Sequence, residues 1–340
     1  QETRRLAYRR YGVLLGLTMV FQALVMAWLW PLQTGSARSA MACLLAAFAA
    51  TVVVSALGWR MVHRSIHVVR PLDSDERRAM QISAALRFAL ERNELTPVYQ
   101  PKVSMADGAL CGFEVLLRWN SADHGDIAPA EFIPWAETSG MVVAIGLWTL
   151  EQACRQLADW QRRFPHARGL RLAVNVSMRQ LLQASFLFDV EAILARTGIA
   201  PASIELELTE TAAMADPERS IDTLGRLKGL GLRLALDDFG TGHSSLAWLQ
   251  KLPIDVIKID KSFLPGLDGE RGDGDIIRLL LALAQALGLD TVAEGIESFE
   301  QLAALRALGC KIGQGYIFSH ALSASDAETL LKWPTPFSLH

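Results

Sequence analysis

Hydrophobic and polar positions follow two different rules along this chain, and the change comes near residue 60. Between Arg10 and Arg38, and again between Arg38 and Arg60, no charged residue occurs. A membrane-spanning helix needs about 20 mainly apolar residues. Tyr11–Trp30 and Ala40–Trp59 each supply such a run, with Trp28, Trp30 and Trp59 at the ends where interfacial aromatics are expected. Buried core helices are the alternative, but few of them avoid charge over such lengths. The pattern therefore predicts a two-helix transmembrane hairpin within residues 1–62, with spans at about 11–30 and 40–59. A connector over 63–94 follows, in which Ser74 reads as an N-cap and Ala79, Ile82, Leu86 and Leu90 fall at helical spacing.

From Pro97 onward short apolar strands alternate with longer amphipathic helices. The strands read as Val98–Val103, Gly112–Arg118, Leu172–Val176, Ile204–Thr209, Arg233–Asp237, Val256–Asp260, Thr291–Glu294 and Lys311–Phe318. Helices are predicted at Ile145–Phe164, Leu187–Thr197, Glu218–Leu227, Asp275–Leu287 and Phe299–Leu308. Gly198, Gly231, Gly288 and Gly309 sit just past helical segments, where the chain often turns left-handed. Eight strands separated by helices predict an α/β fold of the (βα)8 TIM-type barrel class over 95–333, with a short tail at 334–340. An open doubly wound sheet is the runner-up, weakened because no Gly-rich dinucleotide or phosphate loop stands at a strand–helix junction.

Charge refines the membrane expectation. Arg4, Arg5, Arg9 and Arg10 precede the first span, Arg60, His63, Arg64 and Arg70 follow the second, and only Arg38 lies between. The positive-inside bias predicts a multi-pass protein of the cell inner membrane with its large domain in the cytoplasm and the lipid bilayer as a partner. A cleaved signal peptide fits less well, because a second span follows. A start at Gln1 rather than Met points to an upstream segment. The formal net charge of −3 gives no basic stripe for a nucleic-acid polymer. Cys43, Cys111, Cys154 and Cys310 are scattered and indicate neither a disulfide framework nor a zinc site.

Chemistry gathers at the strand ends, which form the functional face of such barrels. Glu114, Asn175, Glu207 with Glu210, Asp237-Asp238, Lys258, Glu294 and Gln314 fall on seven consecutive strands among apolar neighbours. Any one of them could be a solvated loop residue or a satisfied buried group. Together they would bury several carboxylates in one mouth, at several kcal/mol per uncompensated charge. One lysine cannot neutralise five acids. Hard divalent cations can, and an all-oxygen donor set suits Mg²⁺ or Mn²⁺ rather than zinc. Paired carboxylates such as Asp237-Asp238 can bridge two metals and serve attack of water on a phosphoester. Lys258, between apolar Ile257 and Ile259, is expected to point inward.

The same residues carry a resemblance. Phe113-Glu114-Val115-Leu116-Leu117-Arg118-Trp119 resembles the signature of EAL domains, phosphodiesterases of cyclic di-GMP. The likeness continues through Tyr99-Gln100-Pro101, Asn175-Val176-Ser177, Glu207-Leu208-Thr209-Glu210 and Asp237-Asp238-Phe239-Gly240-Thr241-Gly242. It runs on through Lys258-Ile259-Asp260-Lys261, Ala293-Glu294-Gly295-Ile296-Glu297 and Gln314-Gly315-Tyr316. The resemblance implies a barrel whose first strand is antiparallel, and hydrolysis of cyclic di-GMP to linear pGpG. It implies two cations and no organic cofactor, with Glu114, Asn175, Glu207 and Asp237 holding one and Asp237, Asp238 and Glu294 the other. Lys258 would position or activate water, and Gln100, Arg118 and Gln314 would meet substrate. Glu210 would anchor the loop Asp238–Ser245, Glu297 would add a further acid, and a homodimer is the family expectation.

Two departures stand out. Val115 replaces the Ala of the signature, and His243 stands where the loop usually has Tyr or Phe, which bears on loop packing and its regulation. Three functions are then in play: an active phosphodiesterase, a cyclic di-GMP receptor that binds without turnover, and an unrelated metal barrel acting on a carbonyl substrate. Retention of every ligand argues against the second, and the ordered motif series against the third.

Overall fold

The computed structural model describes residues 74–240, 246–265, 267 and 273–338. The two expected membrane spans and His243 lie outside the described residues. Among the described residues no helix is long and apolar enough to cross a membrane.

Helix α1 (Ser74–Ala89) buries Ile82, Leu86 and Ala89, which recur at helical spacing and so share one face. That face joins Leu95, Trp119, Ile127 and Phe132 in one apolar cluster. Within the predicted connector, Ile82, Leu86 and Ala89 thus pack into the barrel unit. Arg78 adds an exposed ion pair to Glu131. Strands β1 (Leu95–Ser104) and β2 (Leu110–Ser121) pair antiparallel with Gln100 opposite Glu114. A short β3 (Gly125–Ile127) folds back on β2. Helix α2 (Pro129–Ser139) then stops at Gly140, whose φ of 81° no β-branched or bulky residue adopts readily, and α3 (Val142–Arg163) resumes. Only the second of these helices was expected from the pattern.

The parallel part alternates β4 (Arg171–Asn175), α4 (Met178–Leu181), α5 (Phe186–Thr197), β5 (Ile204–Thr209), α6 (Glu210–Met214) and α7 (Pro217–Gly229). It continues with β6 (Arg233–Phe239), α8 (Leu246–Leu249), β7 (Val256–Ile259), α9 (Asp273–Leu287), β8 (Asp290–Ala293), α10 (Phe299–Ala307), β9 (Ile312–Gly313) and α11 (Ala324–Leu330). The sheet order is β1-β9-β8-β7-β6-β5-β4-β2-β3, and the β1–β2 pairing closes it. Eight strands form the ring and β3 extends from β2 outside it. Strand β1 is antiparallel to both neighbours, whereas β2 and β4 through β9 run parallel. Closure removes the open doubly wound alternative.

Period-2 alternation places side chains in two populations. Ile204, Leu206 and Leu208 of β5, Leu234 and Leu236 of β6 and Ile257 and Ile259 of β7 belong to the main core cluster with the helices. Ala235, Val256 and Val292 form a separate small cluster, with Ile312 against it, inside the ring. Trp160 of α3 seals the outer core against Tyr99 and Phe113, with ring centroids 4.8 and 5.4 Å away. Each such side chain contributes about 1.5–3 kcal/mol by leaving water. Ser177 and Ser298 open α4 and α10 with capping boxes closed by Gln180 and Gln301. The four glycines expected after helices do turn left-handed, with φ of 67° at Gly198, 94° at Gly231, 70° at Gly288 and 90° at Gly309. The predicted last strand is shorter than expected: only Ile312–Gly313 pairs, and Gln314 lies just past its end. The tail is not detached, since Phe337 meets Phe318 edge-on at 5.7 Å.

Candidate active site

At the carboxyl ends of the parallel strands the inward parity of each strand delivers one polar group. Lys258 of β7 is the hub. It is 1% exposed, and its Nζ lies 2.6 Å from Glu294 Oε1, 2.7 Å from Glu207 Oε2, 3.1 Å from Asp237 Oδ2 and 3.6 Å from Glu114 Oε2. Burial works against an ammonium, yet Glu114, Glu207, Glu294 and Asp237 together hold its pKa well above the ordinary lysine value. Lys258 is therefore protonated at neutral pH.

One cation shared among four acids leaves some of them under-compensated. Burial pushes Asp237 up to about 6 and Glu294 up to about 8, and Lys258 offsets this only in part. Glu207 behaves oppositely. It is completely buried, but a second lysine serves it: Lys102 Nζ lies 2.5 Å from Glu207 Oε1 and 2.9 Å from Glu205 Oε1. Against its burial, Lys102 and Lys258 draw Glu207 down to about 2. The expectation of a single lysine in the barrel is thus corrected. Lys102 lies two residues beyond Gln100 on β1 and has the same parity, which is the signal in the sequence that marks it.

Asp237 and Asp238 end β6. Asp238 adopts φ of 53°, a left-handed conformation that costs roughly 1 kcal/mol for a residue other than glycine but is commoner for Asp and Asn. The turn brings the Asp238 amide onto Asp237 Oδ1 at 2.9 Å and lets successive carboxylates face one region. Oxygens of Asp237, Asp238 and Glu294 lie within 4.8 Å of one another, close enough to share one cation. Burial, then Asp260, raises the Asp238 pKa.

Amides flank the acids. Gln314 Nε2 donates to Glu114 Oε2 at 2.7 Å and to Gln100 Oε1 at 3.0 Å, while Asn175 Nδ2 donates to Glu114 Oε1 at 2.8 Å. A half-turn of the Asn175 amide would present Oδ1 instead. Gln314 Oε1 is buried with no hydrogen-bond partner among the described residues. The following Gly315 is required by close approach: a Cβ there would sit 2.1 Å from the Ile296 carbonyl oxygen. Glu210 Oε2 accepts the Gly240 amide at 3.0 Å, which ties the start of α6 to the residue just after β6.

Two hollows open on this cluster and share Asp237. One, of about 280 Å³, is lined by Gln100, Glu114, Lys258, Glu294, Glu297 and Gln314 among others. The other, of about 810 Å³, is lined by Asn175, Glu207 and Asp238 and by the apolar Phe132, Ala136 and Ile145. The structure thus brings together Gln100, Glu114, Asn175, Glu207, Asp237, Asp238, Lys258, Glu294, Glu297 and Gln314. Arg118 lies apart. It lines neither hollow, is exposed, and donates to the Leu117 carbonyl at 2.9 Å. The donors are carboxylate and amide oxygens around a buried excess of acid, which is the chemistry hard divalent cations fit. Such a site could polarise a phosphoester and generate a nucleophile from water.

Comparison with known proteins agrees with this geometry. The EAL domain family matches residues 83–321. The cyclic di-GMP phosphodiesterase NbdA of Pseudomonas aeruginosa is 40% identical over 256 residues, covering 74% of this chain and 32% of NbdA. The bifunctional diguanylate cyclase/cyclic di-GMP phosphodiesterase MucR of the same organism is 39% identical over 255 residues, covering 75% of this chain and 37% of MucR. The chain thus spans about a third of the length of these curated relatives. The structure of the PaMucR phosphodiesterase in complex with c-di-GMP superposes with a TM-score of 0.69 at 39% identity, covering 73% of this chain and 99% of that one. The EAL enzyme Bd1971, bound to cAMP and cyclic di-GMP, gives 0.74 at 30% identity over 84% of this chain and 76% of that one. With the signature acids in place on a closed barrel of the same fold, this chain belongs to the EAL domain family.

Proposed function

We propose that this protein hydrolyses cyclic di-GMP to linear pGpG with two divalent cations, Mg²⁺ or Mn²⁺. The observation that carries the reading is the convergence of Glu114, Glu207, Asp237, Asp238 and Glu294 on one mouth around the buried Lys258. EAL phosphodiesterases depend on divalent metal, and the acidic donors here suit it. Glu114, Asn175, Glu207 and Asp237 would hold one cation, with Asp237, Asp238 and Glu294 around the second. The bound cations would polarise the phosphodiester and make water more nucleophilic.

The chain's own residues supply the rest. Water adds to phosphorus and the bond to the 3′ oxygen breaks, which consumes one water per substrate and leaves a 5′ phosphate. Lys258, held protonated by its acids, stabilises the negative charge that develops on the phosphoryl group. Gln100 and Gln314 form a hydrogen-bonded amide pair beside Glu114, positioned to orient a phosphate or sugar oxygen. The family resemblance would have Arg118, which lines neither hollow, fork onto a phosphate oxygen when substrate is bound. Glu297 adds a further acid at the smaller hollow, and Glu210, with His243 in the loop it anchors, would couple that loop to the site. The charge-free stretches at 11–30 and 40–59 support anchoring in the bilayer of the inner membrane with the barrel on the cytoplasmic side. A homodimer belongs to the same proposal.

The test is a hydrolysis assay with purified protein in Mn²⁺, Mg²⁺ or EDTA, with cyclic di-GMP and pGpG separated by chromatography. Metal-dependent appearance of pGpG is the expected result. Binding of cyclic di-GMP without turnover under either metal would establish the receptor reading instead.

A further inference from the structure

Lys102 is buried inside the barrel, beneath the residues to which the reaction is assigned. It lies opposite Gly112 on β2, one inward step deeper than the Gln100–Glu114 pair. From there a chain of alternating charge crosses the barrel. Arg233 contacts Asp290 at 2.8 Å and Glu205 at 3.5 Å, and Lys102 contacts Glu205 at 2.9 Å and Glu207 at 2.5 Å. Lys258 then takes the other Glu207 oxygen at 2.7 Å. Glu207 is consequently held at two points from opposite sides, with Oε1 engaged from the barrel floor and Oε2 facing the mouth.

We propose that Lys102 is a positioning residue for the cation site, which pins Glu207 Oε1 from below so that Oε2 alone is offered to a divalent cation. The inference rests on the metal-dependent reading above. Without Lys102, the fully buried Glu207 would keep only the Lys258 contact, and its terminal torsion would no longer be set from two sides. Loss of a partner that orients a metal ligand typically costs 10–100-fold in metal affinity or activity. Charge alone would act in the opposite sense, since deleting a buried cation strengthens the attraction for Mn²⁺. The two effects can therefore be told apart by sign.

The experiment compares the wild-type chain with Lys102→Met and with Lys102→Met/Glu205→Gln. The double variant removes one positive and one negative charge, so the net charge of the barrel is unchanged. Mn²⁺ affinity is read by electron paramagnetic resonance without substrate, folding by thermal unfolding in EDTA, and kcat at saturating Mn²⁺ by pGpG release. We expect both variants to fold, the double variant to bind Mn²⁺ at least tenfold more weakly, and kcat to return largely at saturating metal. Wild-type or tighter Mn²⁺ binding in the double variant would overturn the proposal. Failure of both variants to fold would assign Lys102 to the fold instead and overturn it equally. Absence of stoichiometric Mn²⁺ binding in the wild-type protein would remove the metal reading itself, a different failure seen before any variant is compared.

Discussion

Replacing Lys258 by Met tests whether one ammonium is the shared counter-charge of the barrel mouth. Four carboxylates lie between 2.6 and 3.6 Å from its Nζ, in a side chain that is 1% exposed. Methionine nearly preserves the volume, so the loss is electrostatic. Removing one partner of a buried ion pair typically costs about 3–5 kcal/mol, because the other charge is left uncompensated. For a domain of this size 1 kcal/mol moves the midpoint by about 2–4 °C, so the variant should melt roughly 6–20 °C below wild type in EDTA. Excess Mn²⁺ should recover most of that loss. A ligand at a hundred times its dissociation constant contributes about 2.7 kcal/mol, and in the variant no ammonium competes for the same oxygens. Hydrolysis should stay absent, since the group proposed to stabilise the phosphoryl charge is gone. Thermal unfolding at pH 8 with and without Mn²⁺ measures all of this. A variant that melts with wild type in EDTA would show that the four carboxylates do not depend on Lys258, and the site's electrostatics would need another explanation.

The raised acids predict a pH dependence of definite sign. With folded pKa values of about 6 for Asp237 and about 8 for Glu294, the native state holds protons that the unfolded chain releases. Their stabilisation is present below the ordinary carboxylate range and is lost as pH rises through 6 and then 8. Melting in EDTA should therefore fall over that window while Mn²⁺ affinity rises; a flat profile for both would contradict the assignment. Asp238→Asn keeps a residue that tolerates the left-handed turn, so its melting should stay within about 1 kcal/mol of wild type. The same variant should lose one bound Mn²⁺ and most hydrolysis, and unchanged Mn²⁺ stoichiometry would remove Asp238 from the site. Phe132→Ala empties a buried position between α1 and the barrel and should cost about 3–5 kcal/mol in urea unfolding. A cost under 1 kcal/mol would show that α1 does not depend on that cluster.

Much of the barrel was legible because a strand alternates its faces. Ile204-Glu205-Leu206-Glu207-Leu208 states by itself which residues meet the helices and which face inward. The glycines after helices were legible for a similar local reason, since the left-handed turn is a property of one residue. Helix α2 escaped because Pro134 lies inside it and its apolar residues crowd together without a clear helical period. Strand β9 is shorter than its residue pattern suggests because Gly313 and Gly315 lie in a crossing whose closeness depends on Ile296 and Met105, residues distant in sequence.

The candidate site divides along the same line. The acids, Asn175, Lys258 and the strand ends that carry them follow from the sequence alone, because residue type and inward parity are local. Their shared dependence on Lys258, the left-handed turn at Asp238 and the partnership of Lys102 with Glu207 were decided only when the sheet closed. Closure fixes the depth of each strand along the barrel axis, and depth rather than parity determines which inward charges touch. Strand β1 runs against its neighbours, so Lys102, two positions after Gln100, descends toward the floor while Glu207, two positions after Glu205, rises toward the mouth. That opposed motion puts a lysine under the carboxylate, and pairing geometry alone sets it.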